Sequence, residues 1–194
     1  MDLSKQYKKY KWFFTSSEKI VIGGKSAVQN EELLEKILKS NEEYIIMHTS
    51  SPGSPFSIIL AEIDKITPSD LQECAIFTAC FSRSWKLGKK QEQVDIFSSN
   101  QLKKEKDMKT GTWGVVGKVK RVIVNLELSL TKQKGVLRAI PPQSLSGKKP
   151  ILKIIPGDID KTDMMLRFQI ELGPNIKQEE ILSALPSGGV KIIK

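Results

Sequence analysis

Apolar residues along this chain fall into alternating and helical rhythms separated by short polar breaks, and those rhythms predict its elements. Trp12–Thr15 and Lys19–Ile22 read as the strands of a hairpin turned at Ser16-Ser17, after a polar, basic lead at residues 1–9. From Ala27 to Leu38, the positions Ala27, Leu33, Leu34, Ile37 and Leu38 share one helical face, with Glu31, Glu32, Glu35 and Lys36 off it. Tyr44–Met47 is a compact strand, Thr49–Pro55 a turn dense in Ser, Pro and Gly, and Phe56–Ile63 the return strand. Thr67-Pro68 supplies an N-cap and a first-turn proline for a helix running from Ser69 to Trp85. That helix is apolar almost all round, which predicts a place inside the molecule.

Beyond a basic turn at Gly88–Gln91, Val94–Phe97 reads as a short strand and Ser98–Lys109 as a charged loop. Thr110–Gly114 opens a strand through Val116, and Gly117–Arg121 is a basic connection. Val122–Thr131 alternates as one half-buried strand, and Val136–Ile140 pairs back across the turn at Thr131–Gly135. Ile151–Ile155 is a strand ending at Pro156-Gly157-Asp158. Two short helices follow, Lys161–Leu172 and Lys177–Leu185, with the carboxylates of Asp158, Asp160 and Asp163 expected to cap the first of them. Val190–Ile193 is the last strand. Hairpins with interspersed helices, without regular β-α alternation, indicate an α+β fold: a mixed or antiparallel sheet with a buried central helix and flanking shorter helices.

A chain of 194 residues, 39% hydrophobic and 27% charged, has enough apolar material for a sizeable core. No apolar run approaches the roughly 18 residues of a membrane span, and the basic N-terminus lacks the apolar stretch of a secretory signal. A cytoplasmic protein with no membrane partner is expected. Cys74 and Cys80 lie six apart on a predicted helix, on opposite sides of it, so buried reduced thiols are expected and not a disulfide. One histidine in the whole chain gives no basis for a zinc site, and no cofactor loop is found, so no metal and no cofactor are expected. The formal charge of +9 is concentrated, with 12 Lys/Arg against 5 Asp/Glu in residues 86–134. Such a field suits a polyanion, although a lysine-rich solubilising surface has the same composition.

Candidate chemistry begins at Gly23-Gly24-Lys25. Adjacent glycines allow close approach of backbone, and a lysine beside a helix N-terminus favours an anion. Gln29 and Asn30 on the following first turns either read a base edge or sugar or cap local backbone. His48 is alone, without a nucleophile or carboxylate arranged around it in sequence, and either bonds its turn or contacts a ligand. Trp113, set between glycines in a basic region, is the stacking candidate. Lys86, Lys89, Lys90, Lys118, Lys120 and Arg121 are the phosphate-contact candidates, on two turns expected to merge into one patch. Lysines far outnumber arginines, which favours point-charge contacts over bidentate base readout.

Five segments in order, WFFTSSEKIVIGGKSAVQNEELLEKIL, HTSSPGSPFSIIL, ITPSDLQECAIFTACFSRSWKLGK, TGTWGVVGKVKRV and the AIPP, IIPGD and LPSGG pieces of the tail, resemble the RNA-binding domain of the NFACT proteins. That is the family of ribosome-quality-control elongation factors and bacterial fibronectin-binding-like proteins, and the tail is similar to its archaeal form. Two positions depart from the family pattern: Pro55 stands where bacterial members have His, and Thr112-Trp113 follows Gly111 in place of Ser-Phe. The resemblance implies a stand-alone module with residues 1–125 as the core domain and 126–194 as a strand and helix extension of it. It further implies a non-catalytic protein that binds tRNA or ribosomal RNA of the large subunit in quality control or translation, with separately encoded quality-control partners. An enzyme or accessory subunit of tRNA modification or processing is the alternative, and a protein-interaction domain with a basic face is a third.

Overall fold

The computed structural model describes residues 3–173 and 175–193; of the polar lead, residues 1–2 lie outside this set. Two antiparallel sheets carry the fold. The first has six strands in the order β1 (Lys11–Phe14), β2 (Ile20–Gly23), β4 (Ser57–Ile59), β3 (Ile45–Thr49), β5 (Gln91–Ser98) and β8 (Lys120–Asn125). The second has four, β10 (Val136–Ile140), β9 (Leu128–Gln133), β11 (Leu152–Asp160) and β12 (Gly189–Ile193). A minor pair, β6 (Leu102–Lys103) with β7 (Gly114–Val115), lies between β5 and β8 in sequence. With five α-helices among the described residues, the chain is α+β as its patterning indicates.

The pleat of the first sheet sorts its side chains onto two cores. Trp12, Ile20, Ile22, Ile46, Ile58 and Phe97 join Leu33, Leu34 and Ile37 of α1 (Ala27–Lys39) on one face. Phe13, Val21, Met47, Ile59, Val94, Ile96 and Val124 face α2 (Pro68–Cys80) on the other. Every residue of α2 from Glu73 to Cys80 is buried. Its far side belongs to the same apolar cluster as Leu128, Leu130, Ile154 and Phe168 of the C-terminal segment. The helix therefore lies between both sheets.

Sequence and structure part company at four places. The expected helix through Trp85 breaks after Cys80, because Ser82 caps a separate α3 (Arg83–Lys86) and the Arg83 N–H bonds the Gly53 carbonyl at 2.8 Å. The expected strand Val122–Thr131 divides between the two sheets at Leu126-Glu127. Alternation cannot report that crossover, since Val124, Leu126, Leu128 and Leu130 all enter one cluster. Pro156-Gly157 does not end β11, which continues to Asp160 through a bulge against β12. A methyl on Gly157 would lie 2.6 Å from the Val190 backbone, so glycine is what permits this crossing. Asp160 accepts from the Thr162 N–H at 2.9 Å and closes a turn, and α4 (Met165–Leu172) starts without a side-chain cap. The last helix, α5, spans Gln178–Ala184.

The first hairpin is fastened to α2 by two buried carboxylates. Asp70 accepts hydrogen bonds from Thr15, Ser17 and both the N–H and hydroxyl of Thr67, and pairs with Lys19 at 3.2 Å. Glu73 accepts from the Ser16 N–H at 2.7 Å and from Ser144 at 2.6 Å, which draws the C-terminal segment into the same knot. Burial opposes the charge of Asp70, but the hydroxyl and amide donors outweigh it and hold its carboxyl far below the ordinary range. A carboxyl so lowered stabilises the fold fully above its unfolded pKa, and that contribution is lost as pH falls towards the folded value. Asp70→Ala is therefore expected to cost about 3 kcal/mol in denaturant unfolding at pH 7. The difference from wild type should narrow below about pH 4, where the unfolded carboxyl begins to protonate.

Candidate nucleic-acid interface

The entrance to α1 is closed by its own side chains. Ser26 is the extended N-cap, its Oγ accepting the Gln29 N–H at 3.2 Å. Gln29 reaches back, with Oε1 accepting from the Lys25 N–H at 2.8 Å and Nε2 donating to the Lys9 carbonyl at 3.3 Å. Asn30 is buried; its Oδ1 accepts from the Phe56 N–H at 3.2 Å and its Nδ2 donates to the Ser54 carbonyl at 3.5 Å. The neighbours that need Gly23 and Gly24 are likewise internal. A methyl at Gly24 would fall 2.1 Å from Asn30 Oδ1, and one at Gly23 would fall 3.0 Å from Pro55 Cβ. Of the five predicted residues here, Lys25 alone is exposed.

Beside this entrance lies a cavity of about 630 Å³ that seven segments share. Gly24, Lys25 and Asn30 form its floor, His48 and Phe56 one wall, Trp113 another, and Lys11 with Phe81 its rim. The His48 ring lies 4.4 Å from that of Phe56, and its Nδ1 donates to the Thr49 carbonyl at 2.7 Å. Burial pulls the imidazole below its ordinary pKa, so at neutral pH the ring is uncharged and Nε2 is an acceptor. Across the sheet, Asp95 stands opposite His48 and is held by Ser50 at 2.6 Å and by Arg121 Nε at 3.2 Å.

Glu31, one residue past Asn30, fixes the remaining wall. Its carboxylate accepts from the Gly111 N–H at 2.6 Å and from Trp113 Nε1 at 3.2 Å, and pairs with Lys104 at 2.9 Å. Burial opposes this carboxylate's charge, but the bonds from Lys104 and the Gly111 N–H prevail and lower its pKa. Gly111 adopts φ +78° and passes within 2.8 Å, at its would-be Cβ, of Ala27. Lys104 Nζ sits 5.4 Å from the Trp113 ring centre, so one face of the indole is engaged by a cation.

Lys11 was not singled out by sequence. Its Nζ lies 4.7 Å over the Phe81 ring, and burial, followed by the nearby Arg138, lowers its pKa to about 8. A lysine inside an aromatic strand carries no motif, so only the tertiary placement reveals it.

The predicted lysines do not form one patch. Lys89 and Lys90 precede Gln91 at the start of β5, whereas Lys120 and Arg121 pair with Ile96 and Asp95. Five residues of strand separate the two groups, about 17 Å. Lys89 pairs with Glu92 at 2.9 Å and Arg121 with Asp95, so both are partly neutralised. Lys120 lies on the α2 side with Pro68 and Leu71, and Lys118 is exposed, its carbonyl held by Gln101. Lys86 stands beside Gly188. None of these six side chains lines the cavity beside α1.

Residues 9–117 match the model of the NFACT protein RNA binding domain. The archaeal Rqc2 homolog aRqcH of Methanocaldococcus jannaschii is 27% identical over 98% of this chain and 30% of its own length. The ribosome quality control complex subunit NEMF of mouse and that of human are each 28% identical over 41% of this chain and 7% of their own length. The chain thus spans less than a third of the curated relatives it matches. In fold it is similar to the C-terminal part of the fibronectin/fibrinogen-binding protein from Streptococcus suis, with a TM-score of 0.50 and 23% identity, over 58% of this chain and 44% of that one. With its helix entrance, Pro-Gly-Ser turn and indole-bearing segment all inside the matched region, this chain belongs to the NFACT protein RNA binding domain family.

Proposed function

We propose that this chain is a non-catalytic, cytoplasmic RNA-binding module that contacts tRNA or ribosomal RNA of the large subunit in ribosome-associated quality control or translation. Separately encoded quality-control proteins are its proposed partners. The observation that carries the reading is the meeting of Lys25, Lys11, a neutral His48 and the Trp113 indole in one cavity within the family-matched region. A volume of about 630 Å³ suits a nucleotide-sized group. The rings offer flat apolar walls for a base, His48 Nε2 an acceptor, and the lysines a place for the adjoining phosphate. Gly23, Gly24, Gln29 and Asn30 are assigned the task of shaping this wall. Lys86, Lys89, Lys90, Lys118, Lys120 and Arg121 are assigned outer backbone contacts. Residues 126–194 are taken as an extension of the same domain because their apolar side chains join the cluster around α2.

In fluorescence anisotropy with a structured RNA, Trp113→Ala should weaken binding about tenfold to a hundredfold, the loss of one stacked base. Trp113→Phe should recover most of that affinity. Lys25→Ala should reduce the slope of log affinity against log salt by about 0.7 to 0.9. An RNA affinity indifferent to both positions would sink the assignment of this cavity. Replacing Lys118, Lys120 and Arg121 together by alanine should lower the slope by about two while leaving the Tm within a few degrees of wild type.

A further inference from the structure

A second cleft, of about 400 Å³, adjoins the first and shares Lys11, Lys25 and Ser187 with it. Its walls carry five cations, Lys8, Lys11, Lys25, Arg138 and Lys161, and no carboxylate among the described residues. The cations come from five separate places: the basic lead, β1, the turn before α1, β10 and the turn after β11. None of them forms an ion pair with a described residue. Asp160, next to Lys161 in the chain, accepts from the Thr162 N–H and hydroxyl and acts on Lys161 only at a distance, without an ion pair and outside the cleft lining.

These cations are held in place by groups that orient charge without cancelling it. Arg138 is only 6% exposed; its Nε donates to the Trp12 carbonyl at 3.0 Å and its guanidinium carbon lies 4.7 Å from the Trp12 ring centre. Lys161 Nζ donates to the carbonyls of Leu182 at 3.2 Å and Leu185 at 3.5 Å. Lys11 rests on the Phe81 ring. Burial lowers the pKa of Lys11, Lys25, Lys161 and Arg138 alike; neighbouring cations add to the effect at Lys11 and Lys25, and at Lys161 the nearby Asp160 offsets only part of it. Arg138 is buried, Lys11 and Lys161 are half-buried, and cations drawn that far from water are ordinarily paired, so the cleft has room for an anion that its own lining does not supply.

We propose that the cleft between β1, the turn before α1 and the C-terminal segment is a phosphate site, receiving the phosphate group of a nucleic-acid strand whose base enters the adjoining cavity. The inference deepens the RNA-binding reading and rests on it for the identity of the strand, whereas the phosphate chemistry stands on the cleft alone. Arg138 supplies the planar, fixed donor fork that suits phosphate oxygens, and the lysines supply point charges around it. Three of the five cations, Lys8, Arg138 and Lys161, lie outside residues 9–117, so the site is completed by segments outside the family-matched region.

The test uses the full chain and inorganic pyrophosphate, with ionic strength held constant by chloride. Pyrophosphate at millimolar concentration should raise the Tm of the wild type by a few degrees, because a ligand of the folded state alone stabilises by mass action. Lys11→Met and Lys161→Met should each leave the Tm without pyrophosphate close to or above that of wild type, since a half-buried cation without an ion pair is removed and the aliphatic stem is kept. Both should lose most of the pyrophosphate shift and bind RNA at least tenfold more weakly at low salt. No shift in the wild type, or an undiminished shift in both variants, overturns the phosphate site. A 5′-phosphorylated oligonucleotide preferred over its 5′-hydroxyl twin, with the preference lost in the variants, identifies a terminal phosphate; equal binding that weakens equally identifies an internal one. A pyrophosphate shift that the variants lose, in a chain that binds neither oligonucleotide, upholds the phosphate site and overturns the RNA reading.

Discussion

A helix without a solvent face sets the terms for the whole molecule. From Glu73 to Cys80, α2 is buried on every side, and both its thiols are pushed up by that burial into an inert, protonated state. One sheet can cover only one side of such a helix. The four-stranded sheet must cover the other, which makes the C-terminal segment part of the core and not an ornament upon it. Trp85 seals the arrangement, its Nε1 donating to the Gly189 carbonyl at 3.0 Å. Once the second sheet is committed to α2, β10 is brought beside β1, and Arg138 reaches the Trp12 carbonyl.

At the other face of the first sheet, three consecutive side chains of α1 divide the labour of building a cavity. Gln29 closes the turn before the helix, Asn30 ties the Pro-Gly-Ser turn to it, and Glu31 secures the segment from Gly111 to Trp113. Each holds a loop that would otherwise be free to move, and hydrogen bonds of this kind, to backbone donors at a buried or half-buried site, are worth about 1–3 kcal/mol when one partner is lost. The polar positions that look like readers of a ligand are thus the scaffold of its pocket. Rings and cations are left to meet whatever enters.

The fold was legible where periodicity and local chemistry agree. The Thr67-Pro68 cap, the hairpin at Ser16-Ser17 and the buried character of α2 follow from residue types and their spacing. Legibility failed where a tertiary partner overrides the local signal. The alternation from Val122 to Thr131 is unbroken because both sheets bury the same side of the chain, so a change of sheet leaves no trace in it. Pro156-Gly157 resembles a strand end but is a bulge, stabilised by close passage over Val190. At the candidate site, Gly24, Lys25, Asn30, His48 and Trp113 were each legible as candidates, whereas their meeting in one cavity was not, because no sequence signal joins segments so far apart. Their roles were not, because a side-chain amide at a helix entrance looks the same whether it faces a ligand or a backbone N–H.

The charge distribution carries the same lesson with a physical cause. A window of sequence finds cations that are neighbours along the chain, and in residues 86–134 four of them, Lys89, Lys103, Lys104 and Arg121, are paired with carboxylates. Positive potential survives where cations converge from segments too distant to bring acids with them. Positions 8, 11, 25, 138 and 161 each contribute one charge to the second cleft, and what holds Lys11, Arg138 and Lys161 is carbonyl oxygen and aromatic face. A carboxylate in any of those places would stabilise the cation better and abolish the field. Keeping carbonyls instead costs folding free energy, of the kind natural proteins retain at sites where the uncompensated group has a use. The cations of this cleft gather where sequence shows them least, at the seam that the buried helix forces between the two sheets.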